Sequence, residues 1–148
     1  MKIFYDKDLV KIFKDQDVPW GTENILLVDD KKASSQYCKV LLESMGYKIN
    51  SPMDPKTALA NFRKQPYCFD LLVTDYKMEP LNGSILATTI VGIRPELPVI
   101  AFTGHPEMAY QHNVFWCVIP KTSTIRQIGV AIRQVLDSVR PPVINSFE

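Results

Sequence analysis

Apolar residues in this chain fall into short continuous runs that alternate with stretches where they recur every three or four positions. Runs at 25–28, 69–74, 99–102 and 115–119 have strand length, and such unbroken runs suit strands buried on both faces. A shorter run at 47–51 adds a fifth strand. Between them, Tyr37, Val40, Leu41 and Met45 recur at helical spacing, and Gly46 supplies a stop. Asp54 followed by Pro55 reads as a cap and first helical residue, with Ala58, Leu59 and Phe62 turned inward and an end before Pro66. A third helix carries Ile85, Leu86, Thr89, Ile90 and Ile93. Residues 104–113 offer only a short connection or a poor helix of two turns. The last helix repeats Ile125, Ile128, Ile132, Val135, Leu136 and Val139 and ends at Pro141 and Pro142, so its isoleucine row is expected in the core.

Strands alternating with helices five times predict an α/β domain, a parallel sheet with helices on both faces. That domain is expected over residues 23–140, with an N-terminal arm or linker at 1–22 and a short tail at 141–148. Leu9, Val10, Ile12 and Phe13 give the arm one short amphipathic segment, and Pro19 and Gly21 punctuate its end.

Composition narrows the classes of function. The chain has 148 residues and a formal net charge of +1, so nothing at this level points to nucleic acid or to an anionic membrane. No apolar run is long enough to span a bilayer, and the start turns acidic before a signal-peptide core forms, so a cytoplasmic location is expected. Cys38, Cys68 and Cys117 are odd in number and widely spaced, which favours free thiols over a disulfide or zinc framework. His105 and His112 read as ordinary loop residues.

The chemistry lies at the ends of the runs. The first ends in Asp29 and Asp30, the third in Asp75, the fourth in Thr103 and the fifth in Lys121. In open parallel sheets ligands bind outside the carboxyl ends of the strands, so these groups share one rim. Clustered carboxylates repel one another and recruit a cation, and an all-oxygen set favours magnesium or manganese over zinc. An aspartate beside such an ion is a candidate nucleophile toward phosphorus. A lysine and a threonine hydroxyl suit the oxygens of a phosphoryl group.

Leu27-Val28-Asp29-Asp30, Val73-Thr74-Asp75, the segment from Met78 to Gly83, Phe102-Thr103-Gly104 and Pro120-Lys121 stand in this order on alternating strands. Together they resemble the receiver (response-regulator) domain of two-component signalling, from about Glu23 to Arg140. The resemblance implies a flavodoxin-like, doubly wound five-stranded sheet of order 2-1-3-4-5. It implies that Asp75 accepts a phosphoryl group from a phosphohistidine, with Thr103 as the switch hydroxyl and Lys121 as the phosphate's ion-pair partner. Magnesium, or manganese in its place, would be held by Asp29, Asp30, Asp75 and the backbone carbonyl of Lys77. The implied partners are a histidine kinase or a histidine phosphotransfer protein, with a weak homodimer allowed. Catalysis would be limited to the domain's own phosphotransfer and autodephosphorylation. The opening from Gly21 to Leu26 resembles the entry to receivers of hybrid sensor kinases.

The sequence departs from the family's usual pattern in five places, one of them Glu79-Pro80 where a proline-glycine start of the loop is usual. Val118 stands where an aromatic residue of the threonine-aromatic relay is usual, and Pro120 precedes Lys121 where a proline usually follows. The span from Thr103 to Lys121 is short by roughly one helical turn, so a truncated fourth helix is expected. Lys77 lies two positions after Asp75, where side chains overlook the site. Lys77 also argues against an aspartate-nucleophile phosphohydrolase, which usually has a second aspartate there. A degenerate receiver that only binds partners is the other alternative, and the intact acids and lysine argue against it.

Overall fold

The computed structural model describes residues 18–139. Its strands are β1 (Asn24–Val28), β2 (Lys48–Asn50), β3 (Leu71–Thr74), β4 (Val99–Thr103) and β5 (Cys117–Pro120). The helices between and after them are α1 (Lys32–Ser44), α2 (Pro55–Lys64), α3 (Gly83–Ile93), α4 (Pro106–Ala109) and α5 (Ile125–Val139). All strand pairs are parallel and the order is β2-β1-β3-β4-β5, the expected topology.

The unbroken apolar runs are explained by burial on both sides of the sheet. Successive residues of β1 point to opposite faces. Ile25 and Leu27 join Leu41, Leu42, Ile128 and Ile132 in one core under α1 and α5. Leu26 and Val28 join Ala58, Phe62, Leu86 and Ile90 in a second core under α2 and α3. The isoleucine row of α5 is therefore core, as its spacing predicts. The packing reaches back to Val18, which is 2% exposed and belongs to the first core. Leu9 to Phe13, and the stop expected at Pro141 and Pro142, lie outside the described residues.

Local chemistry sets the helix ends. The Asp54 carboxylate accepts from the Thr57 N–H at 2.8 Å, with Pro55 opening α2. The Asn82 side chain accepts from the Ile85 N–H at 2.9 Å at the start of α3. Gly46, after α1, has φ of +99°, a left-handed conformation that only glycine adopts at little cost.

Two strands start later than the apolar runs suggest, β3 at Leu71 rather than 69 and β5 at Cys117 rather than 115. Phe69 instead gives its carbonyl to the Arg94 guanidinium, and the Asp70 carboxylate accepts from the Asn24 N–H at 2.8 Å. Phe115 turns its ring edge toward Tyr76 and His112 before the strand begins. The connection after β4 holds a single turn, α4, in place of two. Pro106 opens it, and the His112 N–H bonds back to the Ala109 carbonyl at 3.0 Å as the chain turns toward β5.

Candidate functional site

Strand register brings the singled-out residues together. Val28 pairs with Thr74, so Asp29 and Asp75 leave adjacent strands side by side, and the Asp75 N–H donates to the Val28 carbonyl at 2.9 Å. Thr103 pairs with Pro120, and the Lys121 N–H donates to the Thr103 carbonyl at 3.0 Å. That bond starts the Lys121 side chain at the end of β5, from which it crosses to the acids. Asp29, Asp75 and Thr103 are buried, and Asp30 is exposed.

Lys121 is the hub. Its ammonium donates to Asp29 Oδ2 at 2.8 Å, to Ser34 Oγ at 2.7 Å and to Asp75 Oδ2 at 3.0 Å, which uses all three of its protons. The Ser34 hydroxyl in turn donates to Asp29 Oδ2 at 2.5 Å. Asp75 Oδ1 accepts from the Tyr76 N–H at 2.7 Å. The Lys31 ammonium approaches Asp75 Oδ2 at 3.5 Å. Thr103 Oγ1 accepts from the His105 N–H at 3.0 Å.

Opposing forces act on the ionisation of these groups. Burial alone would push the Asp75 carboxyl up. The Lys121 ammonium, the Thr103 hydroxyl and the Tyr76 N–H outweigh burial and hold it below the usual carboxylate range. Burial alone would likewise lower Lys121, and the Asp29 and Asp75 carboxylates outweigh it and raise it. Both shifts favour one charge state, an ionised Asp75 against a protonated Lys121.

Asp30 sits apart from the hub, its Oδ2 accepting from the Glu79 N–H at 3.1 Å. It opens onto a cavity of about 350 Å³ with Lys31, Lys77, Met78, Glu79 and His105 on its walls. Among the described residues, no three His, Cys, Asp or Glu side chains are gathered closely enough to enclose a metal ion. Asp29 and Asp75 turn toward Lys121 instead. An exposed carboxylate beside two buried ones still suits a hard divalent ion that takes few protein ligands and keeps several waters. The donor set therefore fits magnesium at an open site.

Gly83 matters to this geometry although it carries no chemistry. A Cβ there would stand 2.1 Å from the Asp75 carbonyl oxygen, and the Gly83 N–H donates to the Tyr76 carbonyl at 2.6 Å. The start of α3 thus rests on the backbone of Asp75. The structure also adds Ser34 and Lys31, and it pairs Tyr76 with His112, a histidine expected to be an ordinary loop residue. Ser34 lies one helical turn beyond the acids, where a serine reads only as a helix-start residue. The Tyr76 hydroxyl lies 3.0 Å from His112 Nε2, and both rings pack with Phe115. Val118 packs partly buried against the second core, the same core that holds the Tyr76 and Phe115 rings.

Comparisons with known proteins agree with the fold and with the order of the motifs. Residues 25–121 match the family described as the response regulator receiver domain. A two-component response regulator of Arabidopsis thaliana is 30% identical over 86 residues, which is 58% of this chain and 15% of the relative. The sensor kinase CckA of Brucella abortus is 24% identical over 121 residues, 79% of this chain and 13% of that protein. The chain thus spans a small part of both relatives. A receiver domain protein from Clostridium thermocellum superposes with a TM-score of 0.71 at 25% identity, covering 78% of this chain and 95% of that one. The response regulator protein TrrA of Thermotoga maritima, in complex with Mg2+–BeF, shares the fold at a TM-score of 0.70 and 21% identity, covering 77% of this chain and 99% of that one. No helix of the described residues is long and apolar enough to cross a membrane. With the matched segment covering the acids, the threonine and the lysine alike, the chain belongs to the response regulator receiver domain family.

Proposed function

We propose that this chain is a phosphoacceptor module that takes a phosphoryl group from a phosphohistidine onto Asp75 and changes a protein-binding surface in response. The observation that carries the reading is the contact of Asp29, Lys121 and Asp75 across three strands, with Lys121 Nζ within 3.0 Å of both carboxylates. A buried aspartate kept ionised is a nucleophile in waiting. In the transfer, one Asp75 oxygen forms a bond to phosphorus as the phosphorus–nitrogen bond of the donor breaks. The electron pair leaves with the imidazole. Lys121 is placed to pair with an equatorial phosphoryl oxygen, and the Tyr76 N–H orients the carboxylate. Thr103, at the end of β4, supplies the hydroxyl that follows the new charge, and the neighbouring α4 and β5 would relay its movement.

Asp29, Asp30, Asp75 and the Lys77 carbonyl would hold the divalent ion, magnesium or manganese. That ion would neutralise charge on the incoming phosphoryl oxygens. The superposition with the Mg2+–BeF complex of TrrA and the oxygen-only donor set support this choice. The similarity to the sensor kinase CckA supports a place in a phosphorelay that includes a hybrid histidine kinase. Partners would be a histidine kinase or a histidine phosphotransfer protein, and turnover would be confined to the domain's own phosphorylation and dephosphorylation.

Beryllofluoride, which imitates a phosphoryl group on a carboxylate, should bind only with magnesium present, and Asp75→Asn should abolish binding in a fluorine NMR titration. Equal binding by the variant would overturn the assignment of Asp75. Steady hydrolysis of small phosphate esters would favour the phosphohydrolase instead.

A further inference from the structure

Two ammonium groups face the same oxygen of Asp75, and they are held very differently. Lys121 is only 20% exposed at its side chain and spends its three protons on fixed acceptors at 2.7–3.0 Å. Lys31 is 58% exposed and stands at 3.5 Å, beyond the range of a good N–H···O bond. Its backbone is nonetheless pinned to the site, because the Lys31 N–H donates to Asp29 Oδ1 at 3.0 Å. Lys31 occupies the N-cap of α1 with φ −87° and ψ 112° and makes no side-chain capping bond. Lys31 also lines the cavity onto which Asp30 opens. Lys31 is thus an exposed, loosely paired positive charge on a backbone bonded to Asp29, at the mouth of an acidic site.

We propose that Lys31 is a built-in counter-ion that occupies the mouth of the acidic site and is displaced when a divalent cation binds, so that it holds the chain's magnesium affinity down. The inference rests on the proposed function. The charges support it. Asp29, Asp30 and Asp75 bring three negative charges, and Lys121 permanently offsets one of them. With Lys31 folded in, a second is offset and the attraction for a divalent ion shrinks. With Lys31 swung out, the ion meets two uncompensated carboxylates. Repulsion between a divalent ion and an ammonium roughly 6 Å away, screened as in bulk water, is worth roughly tenfold in affinity, and weaker screening would make it larger. The backbone bond to Asp29 fixes how far the ammonium can retreat, so the effect does not vanish on displacement.

Magnesium chloride titrated into the metal-free chain at constant ionic strength, followed by calorimetry, tests this without any phosphoryl chemistry. Lys31→Met keeps the apolar stem and should bind magnesium about tenfold more tightly than wild type. Lys31→Arg keeps the charge and should stay within about twofold of wild type. Lys48→Met removes an equal charge at β2, at the far end of the sheet, and should also stay within about twofold. The rise in melting temperature on adding magnesium should be larger for Lys31→Met than for wild type. A Lys31→Met affinity equal to or weaker than wild type overturns the counter-ion role and leaves the proposed function standing. Failure of wild type and every variant to bind magnesium overturns both.

Discussion

Two residues shape the surroundings of Asp75, and they act by different means. Lys121 acts through charge. Because its ammonium is the leading influence that outweighs burial at Asp75, Lys121→Met should let the Asp75 carboxyl titrate at higher pH than in wild type. Carboxyl carbon NMR across the acid range reads this directly, and an unchanged titration would contradict the hub. Gly83 acts through space. A methyl group there would press into the Asp75 carbonyl, which belongs to rigid backbone, so Gly83→Ala should cost about 1–3 kcal/mol and weaken beryllofluoride binding. Gly92, in the same helix, has open space around it. Gly92→Ala should be neutral or stabilise by about 0.5 kcal/mol in the same thermal melt. Equal costs at the two positions would show that the close approach at Asp75 does not matter. Asp29, Asp30, Asp75, Thr103 and Lys121 were legible in the sequence because each ends an apolar run. Ser34 and Lys31 were not, because their contacts depend on how α1 leaves β1, and no spacing rule states that.

At the scale of elements, legibility followed how strongly a single pattern dominated. The period of α5 and the cap and proline of α2 left little choice, and both helices form where expected. Strand starts were less legible, since Phe69 and Phe115 are apolar and extend their runs, yet both turn into corners before the ladder begins. The same limit applies at the front of the domain. Residues 14–22 carry no period, but Val18 packs between α1 and α5, and Glu23 reaches α5 through Arg133. The guanidinium bonds to both Glu23 oxygens, one at 3.0 Å, and pulls the Glu23 carboxyl from 4.5 to about 2. A carboxyl lowered by folding stabilises fully above its ordinary value and loses that contribution as pH falls through the folded one. Glu23→Gln should therefore cost about 1 kcal/mol at neutral pH, a figure reduced for partial exposure. The gap to wild type should close between pH 4.5 and about 2 in denaturant melts. A gap that persists at the acid end would assign the loss to packing instead.

The whole molecule is built so that one rim of one sheet gathers the polar groups of the candidate site. Parallel strands all deliver their C-terminal ends to the same side, and the order β2-β1-β3-β4-β5 puts the acid pair, Asp75, Thr103 and Lys121 on four neighbouring strands. Alternation of strand and helix, read from the sequence, already implied this convergence. It could not reveal that two of the acids close on Lys121, leaving Asp30 to face the cavity. Exposing the chain to a small phosphoryl donor such as phosphoramidate with magnesium, then mapping the modified residue by mass spectrometry, asks whether Asp75 is the phosphoacceptor. A single acid- and hydroxylamine-labile phosphoryl group on Asp75, absent from Asp75→Asn and absent without a divalent ion, is the predicted result. Modification at another residue, or none at all in a folded chain with magnesium present, would contradict it.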